Sequence, residues 1–313
     1  LKAVGEIQIG LGHHQAGFSA TRERVAVSNF SDCNNVVGVY DYSDPSNIKT
    51  LETLTAVEMG YDNSTKDKTC DTTESEGVSI KPHGCATSLA SGKVYCNTTT
   101  GGKLIIVDID AATPAFEVLQ MSGTGGGYVK EGKGGEYMYT VQSTPREGNG
   151  GANCRIGQLV TVDASTDTIA STVPMFYKGP DCTDVLTGTD ESASQGNHLK
   201  LSLDGEILFV ALAPSFGSTG AHVRQQVVYD LSDPANPVQL DSIPVGSSSV
   251  QRGTAITGDG KYHYVTNIDD GTVTEIDVAA LKVTRTLPAE TYPKMVSTFG
   301  TEEGPSLPVG PVH

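Results

Sequence analysis

Seven histidines and six cysteines are the residues of this chain best suited to bind or transform a ligand. Three of the histidines recur at one place in a repeating pattern. His14 and His83 stand five residues ahead of Ser19 and Ser88, Asn197 beside His198 takes that place ahead of Ser202, and Arg252 takes it ahead of Thr257. Neutral imidazole nitrogens brought together from such equivalent positions suit a borderline metal ion, zinc(II) or copper(II), with zinc at about 2.0–2.1 Å from nitrogen. The expected ligand set is His14, His83 and His198, with His13 or Cys85 as a further donor. The competing reading is that the same rings hydrogen-bond backbone groups where strands begin, or line a wet channel without any ligand.

Other groups carry weaker signals. His263 is expected inside a strand between Tyr262 and Tyr264, His222 in a loop and His313 at a terminus, all three with structural roles. Asp269 with Asp270, and Asp62 with Asp67 and Asp71, offer oxygen ligands for calcium, but neither set has the spacing of an EF-hand loop, so solvated turns are the better account. The glycine-rich run GTGGGYVKEGKGG lacks the GxxxxGK[ST] order of a phosphate-binding loop and any following helix, and reads as a flexible lead-in to a strand. No GxSxG occurs, and no catalytic residue can be assigned from sequence.

The cysteines (Cys33, Cys70, Cys85, Cys96, Cys154, Cys182) contain no CxxC or CxxCH, which argues against a zinc ribbon, a thioredoxin-type site or covalent c-type haem. Disulfides are the natural alternative. Cys85 and Cys96 sit on adjacent expected strands and Cys154 and Cys182 in loops on either side of another repeat, which leaves Cys33 with Cys70 by subtraction. Asn29-Phe-Ser, Asn63-Ser-Thr and Asn97-Thr-Thr match the glycosylation acceptor pattern. The chain begins at Leu1 without Met or a signal-like segment and is taken as a processed or excerpted form.

The elements that must position these residues are strands. In Lys261–Asp277, KYHYVTNIDDGTVTEID, two alternating runs flank Asp269-Asp270-Gly271, a tight turn, and the second run ends in an aspartate. That ending recurs at Asp41, Asp108, Asp163 and Asp230, so a four-stranded unit of about 40 to 50 residues with loop insertions accounts for the spacing. Sustained helical periodicity is absent. The expected class is all-β: four-stranded antiparallel sheets that bury their faces by stacking radially as the blades of a β-propeller. Five blades are visible, and five to seven are compatible with the length. The units fall at about 11–58, 80–122, 123–178, 195–247 and 248–290 of a single domain, with a tail at 291–313, a lone strand at Lys2–Gly10 and a polar surface loop at 59–79.

GDGKYHYVTNIDDGTVTEID closely resembles the YVTN-type β-propeller repeat through Tyr264-Val265-Thr266-Asn267, and SLDGEILFVAL at Ser202–Leu212 is a looser copy. The resemblance implies the fold strongly and function weakly. A second likeness covers only the first part of the chain. His13-His14 followed by VAVSNF, VVGVYD and then His83-Gly84 with ASGKVYC is similar to periplasmic zinc-chaperone propellers, which use histidine pairs and an HG turn near the channel. The histidine-rich N-terminal segment usual in such proteins is not matched here, so delivery to a transporter does not follow.

A formal net charge of -16 and a pI near 4.7 argue against nucleic acid or an anionic membrane as partner. No apolar run is long enough for a membrane-spanning helix. The expectation is a secreted, periplasmic or cell-surface protein that binds zinc or copper and acts in binding or transfer rather than catalysis, with a metal-receiving protein as a further partner. The alternatives are a surface module holding a protein or glycan without metal, and a metal-dependent propeller enzyme.

Overall fold

A computed structural model describes residues 5–9, 13–30, 34–60, 82–99, 102–123, 126–145, 155–175, 195–213, 225–246, 251–268, 270–289, 297–298 and 308–309. Strands dominate, arranged as five four-stranded sheets whose members pair in chain order. The first holds β1 (His13–Phe18), β2 (Arg24–Asn29), β3 (Val37–Asp41) and β4 (Lys49–Leu54). The second holds β5 (Pro82–Thr87), β6 (Val94–Thr98), β7 (Lys103–Asp108) and β8 (Ala115–Gln120). β9 (Val129–Glu131), β10 (Tyr137–Pro145), β11 (Arg155–Asp163) and β12 (Thr168–Pro174) form the third. The fourth is β13 (Gln195–Leu201), β14 (Ile207–Ala213), β15 (Gln225–Asp230) and β16 (Val238–Pro244). β17 (Gln251–Ile256), β18 (Tyr262–Asn267), β19 (Thr272–Asp277) and β20 (Lys282–Pro288) form the fifth, followed by a two-stranded pair, β21 (Ser297–Thr298) and β22 (Pro308–Val309). Every pairing described is antiparallel.

Local chemistry explains why the unit repeats. All five recurring aspartates end the third strand of their sheet, and the carboxylate of each accepts a backbone N–H two or three residues on: Ser43, Ala111, Ser165, Ser232 and Ala280, at 2.7–3.0 Å. This folds the turn into the fourth strand, because a short carboxylate can mimic a backbone acceptor there. At the other end of each sheet, the N–H groups of Ser19, Ser88, Gly132, Ser202 and Thr257 bond the carbonyls of Arg24, Lys93, Tyr137, Ile207 and Tyr262 at 2.8–2.9 Å, closing the hairpin between first and second strands. Gly271, at φ +60°, supplies the left-handed residue of the turn between β18 and β19.

The chain divides into two compact units, Leu1–Gln142 with Thr161–Ala170 and Ser143–Val160 with Ser171–His313, a division that passes through the third sheet. Within the first, Val37, Val39, Val94, Cys96, Ile105 and Val107 bury one continuous apolar core. Phe209, Val228, Ile243, Val265 and Ile276 do the same within the second. Middle strands are buried on both faces, whereas the outermost β8, β12 and β20 alternate or stay exposed. That gradient is what a stack of sheets produces, since only the inner strands have neighbours on both sides.

Two expectations change and a third holds. The lone N-terminal strand is absent among the described residues 5–9, where the Ile9 carbonyl instead accepts side-chain bonds from Asn35 and Tyr40. Asn29 and Asn97 are completely buried and spend their amide N–H groups on Asn35 O, and on Thr140 Oγ1 and Val141 O, so neither nitrogen can carry a glycan in the folded chain. Cys85 and Cys96 face each other across β5 and β6 and form a disulfide, the pairing expected from their strands. Asn63, Cys33, Cys70, Cys154, Cys182, His222, His313, Asp62, Asp67, Asp71, Asp269 and most of the 59–79 loop lie outside the described residues.

Candidate functional site

The repeat-equivalent positions picked out from sequence coincide with a backbone irregularity. In β1 the ladder passes from His13 opposite Asn29 to Ala16 opposite Val27, so His14 and Gln15 together face the single residue Ser28. The same two-against-one bulge places His83 and Gly84 opposite Asn97, Asn197 and His198 opposite Ala211, and Arg252 and Gly253 opposite Thr266. A bulge re-aims side chains that a regular strand would send to alternate faces. It also frees backbone groups, which the residue opposite can collect. Ser28 Oγ accepts from Gln15 N (3.1 Å), and in the fifth sheet Thr266 Oγ1 accepts from Gly253 N (2.8 Å).

Two of these bulges, both in the first unit, bring rings together. The His14 and His83 ring centroids are 3.9 Å apart with the ring planes tilted by 31°, a close ring-to-ring contact. Tyr128, immediately before β9, meets the His83 ring edge-on at 4.7 Å, and Phe30, immediately after β2, lies 5.8 Å from His83 and 5.9 Å from His14. His83 is buried while His14 is exposed, so the pair has one fixed ring and one open to solvent.

The surrounding bonds hold this geometry. Gln15 Oε1 accepts the Cys85 N–H at 2.7 Å, tying β1 to β5 one residue past His14 and two past His83, and the Ser28 hydroxyl faces the carbonyls of Gln15 (3.1 Å) and His83 (3.3 Å). Thr140 Oγ1 donates to the Tyr128 carbonyl at 3.1 Å. Gly84 is required by close approach: a Cβ there would sit 2.2 Å from Tyr128 Cα, so any side chain would push β9's leader away from His83. The disulfide then clamps β5 to β6 just past the bulge.

Of the expected donors, His14 and His83 are in contact. His13 faces Asn29 through its backbone at the start of β1. His198 lies in the second unit, in the bulge of β13 but at its second position, the place of Gln15 and Gly84; Asn197 holds the place of His14 and His83. Cys85 is corrected as a metal donor, because its sulfur is bonded to Cys96 and has no thiolate to offer. Among the described residues no three His, Cys, Asp or Glu side chains are grouped to hold a metal ion. Tyr128 and Phe30 were not anticipated. The glycine-rich unit has Gly132 where the others have Ser or Thr, so counting back from a hydroxyl residue finds no anchor there.

No family model matches the sequence and no curated protein matches it, so the YVTN-type and zinc-chaperone likenesses rest on the quoted motifs alone. Solved structures match in fold. A periplasmic gluconolactonase of Pseudomonas aeruginosa superposes with a TM-score of 0.60 at 12% identity, over 88% of this chain and 70% of that one. The Cps50 (Swd1) β-propeller domain of Myceliophteria thermophila gives 0.57 at 10% identity over 91% and 76%, and the hydrazine synthase of Kuenenia stuttgartiensis gives 0.56 at 11% identity over 90% and 76%. At such identities the likeness reaches the fold alone, and the fold is the β-propeller.

Proposed function

We propose that this chain is an extracytoplasmic binding protein that holds a transition metal ion, zinc or copper, through the imidazoles of His14 and His83, and that its work is binding or transfer to a receiving protein rather than catalysis. The observation that carries the reading is the contact between two histidines separated by almost seventy residues of sequence and delivered by equivalent bulges. The Cys85–Cys96 disulfide supports an oxidising compartment, where such bonds persist.

The fit is close but not complete. Two imidazoles on one tetrahedral zinc, each about 2.0–2.1 Å away, would hold their centroids roughly 5 Å apart. The rings here stand at 3.9 Å, so binding requires one ring to swing outward by about 1 Å, given the metal–nitrogen lengths. His14, being exposed, is the ring with room to do so, and His13 in the same strand is the third donor the proposal calls on. Neutral nitrogen is needed for ligation, so affinity falls as pH drops through the histidine range.

The same short distance favours a second reading, in which the rings are a finished contact on the surface of a protein- or glycan-binding module. A metal-dependent enzyme remains the third reading, since a metal with an open position would activate water; turnover that requires added zinc or copper would favour it. The deciding experiment is metal analysis after chelation and reloading with each ion. A His14→Ala, His83→Ala double variant is expected to lose stoichiometric binding, and full retention of metal by that variant ends the proposal.

A further inference from the structure

His263 occupies a position that every other sheet fills with an apolar side chain. Strand pairing defines the equivalence: His263 faces Ile256 across β17 and β18, as Val25 faces Phe18, Val94 faces Thr87, Met138 faces Glu131 and Leu208 faces Leu201. In the fifth sheet alone that place holds an imidazole. It is completely buried, its ring lies 4.4 Å from the ring of Phe209, and among the described residues neither nitrogen has a hydrogen-bond partner.

The charged groups nearby give no relief. β14 carries none between Ile207 and Ala213, and β17 none between Gly253 and Ile256. On β19 the acidic residues Glu275 and Asp277 pair with Tyr264 and Tyr262, and strand alternation puts those on the face opposite His263. Glu275 is already committed to Tyr264, Thr284 and Arg285, and Asp277 to the Ala280 N–H. From β13 comes Lys200, a cation. An imidazolium at this place would therefore meet, among the described residues, no acceptor and a like charge.

We infer that His263 makes the fifth sheet an acid-sensitive latch: proton uptake on this ring and opening of β17–β20 are one event. Burial, with Lys200 adding to it, pushes the His263 pKa down to about 3 in the closed sheet. Once opened to water, the ring regains an ordinary value of about 6.5. Between those values the open form binds one more proton than the closed form, so the contribution of His263 to closure is complete above pH 6.5 and is progressively lost as pH falls toward 3. The two values together make the open-to-closed ratio of this sheet rise by about 25-fold from pH 7 to pH 5.

The test is amide hydrogen exchange of the intact chain at pH 7 and pH 5, corrected for the intrinsic pH dependence of exchange. Peptides from 251–288 in the wild type are expected to show the 25-fold increase in opening. In His263→Leu and His263→Met, which install the residues found at the equivalent places in the fourth and third sheets, that increase disappears. An equal acid response in the wild type and both variants would assign the effect to carboxylates and overturn the inference. Should the variants fail to fold, the native-state imidazole signal of His263 decides by itself: it is expected to stay at its neutral position down to pH 4, and a titration midpoint near 6.5 in the folded protein overturns the latch.

Discussion

His83 and His263 are both buried histidines packed against an aromatic ring, yet their surroundings are opposite. His83 sits in a bulge, where a broken ladder turns it toward His14, Phe30 and Tyr128 and where Gln15 and Ser28 hold the adjoining backbone. His263 sits in regular register at the hairpin end of a ladder, against Phe209, with both nitrogens unserved among the described residues. The residue type is the same and burial is similar; what differs is whether the backbone offers the ring company it can use. The bulge turns its histidine toward neighbouring rings, whereas the regular register leaves His263 among apolar side chains, where it opposes a proton.

Removing the clamp beside His83 should have the largest effect. Replacing both Cys85 and Cys96 with serine is expected to lower stability by about 2–4 kcal/mol in chemical denaturation, and to weaken metal binding at His14 and His83. The acid response assigned to His263 should be unchanged; if it moved as well, the two regions would not be independent. Filling the space above Tyr128 comes next: Gly84→Ala is expected to cost about 1–3 kcal/mol, because the new Cβ meets backbone rather than a flexible side-chain end.

Leucine substitution sharpens the contrast through sign. His263→Leu is expected to raise stability at pH 7 by about 1–2 kcal/mol, since two buried polar atoms without partners are removed. His83→Leu is expected to lower it by about 1 kcal/mol through lost ring contacts. Thermal or urea unfolding of the two variants measures both, and a shared sign would erase the distinction. The smallest effect probes the bulge itself. Ser28→Ala and Thr266→Val each strand a bulge N–H, at Gln15 and Gly253, and each should cost about 1 kcal/mol.

Much of the fold was legible because its signals are local. An aspartate at the end of an alternating run folds the turn that follows, wherever that run lies, and five such endings gave five sheets. His14 and His83 were legible for a related reason: the distance from bulge to hairpin is the same in the first and second sheets, so counting back from Ser19 and Ser88 lands on equivalent places. In the fourth sheet the count lands on Asn197, which does hold the equivalent place, and the expected ligand His198 is its neighbour at the second bulge position. The count failed altogether at Tyr128, where glycines replaced the hydroxyl landmark.

Strand, turn and repeat were thus set by the sequence alone, because alternation and side-chain capping act over a few residues and need no partner from elsewhere in the chain. The meeting of His14, His83, Phe30 and Tyr128, and the isolation of His263, were decided only by tertiary structure. Ring contacts between sheets depend on where a ladder breaks and on what the neighbouring sheet presents at that height, and neither is encoded within the reach of a single strand.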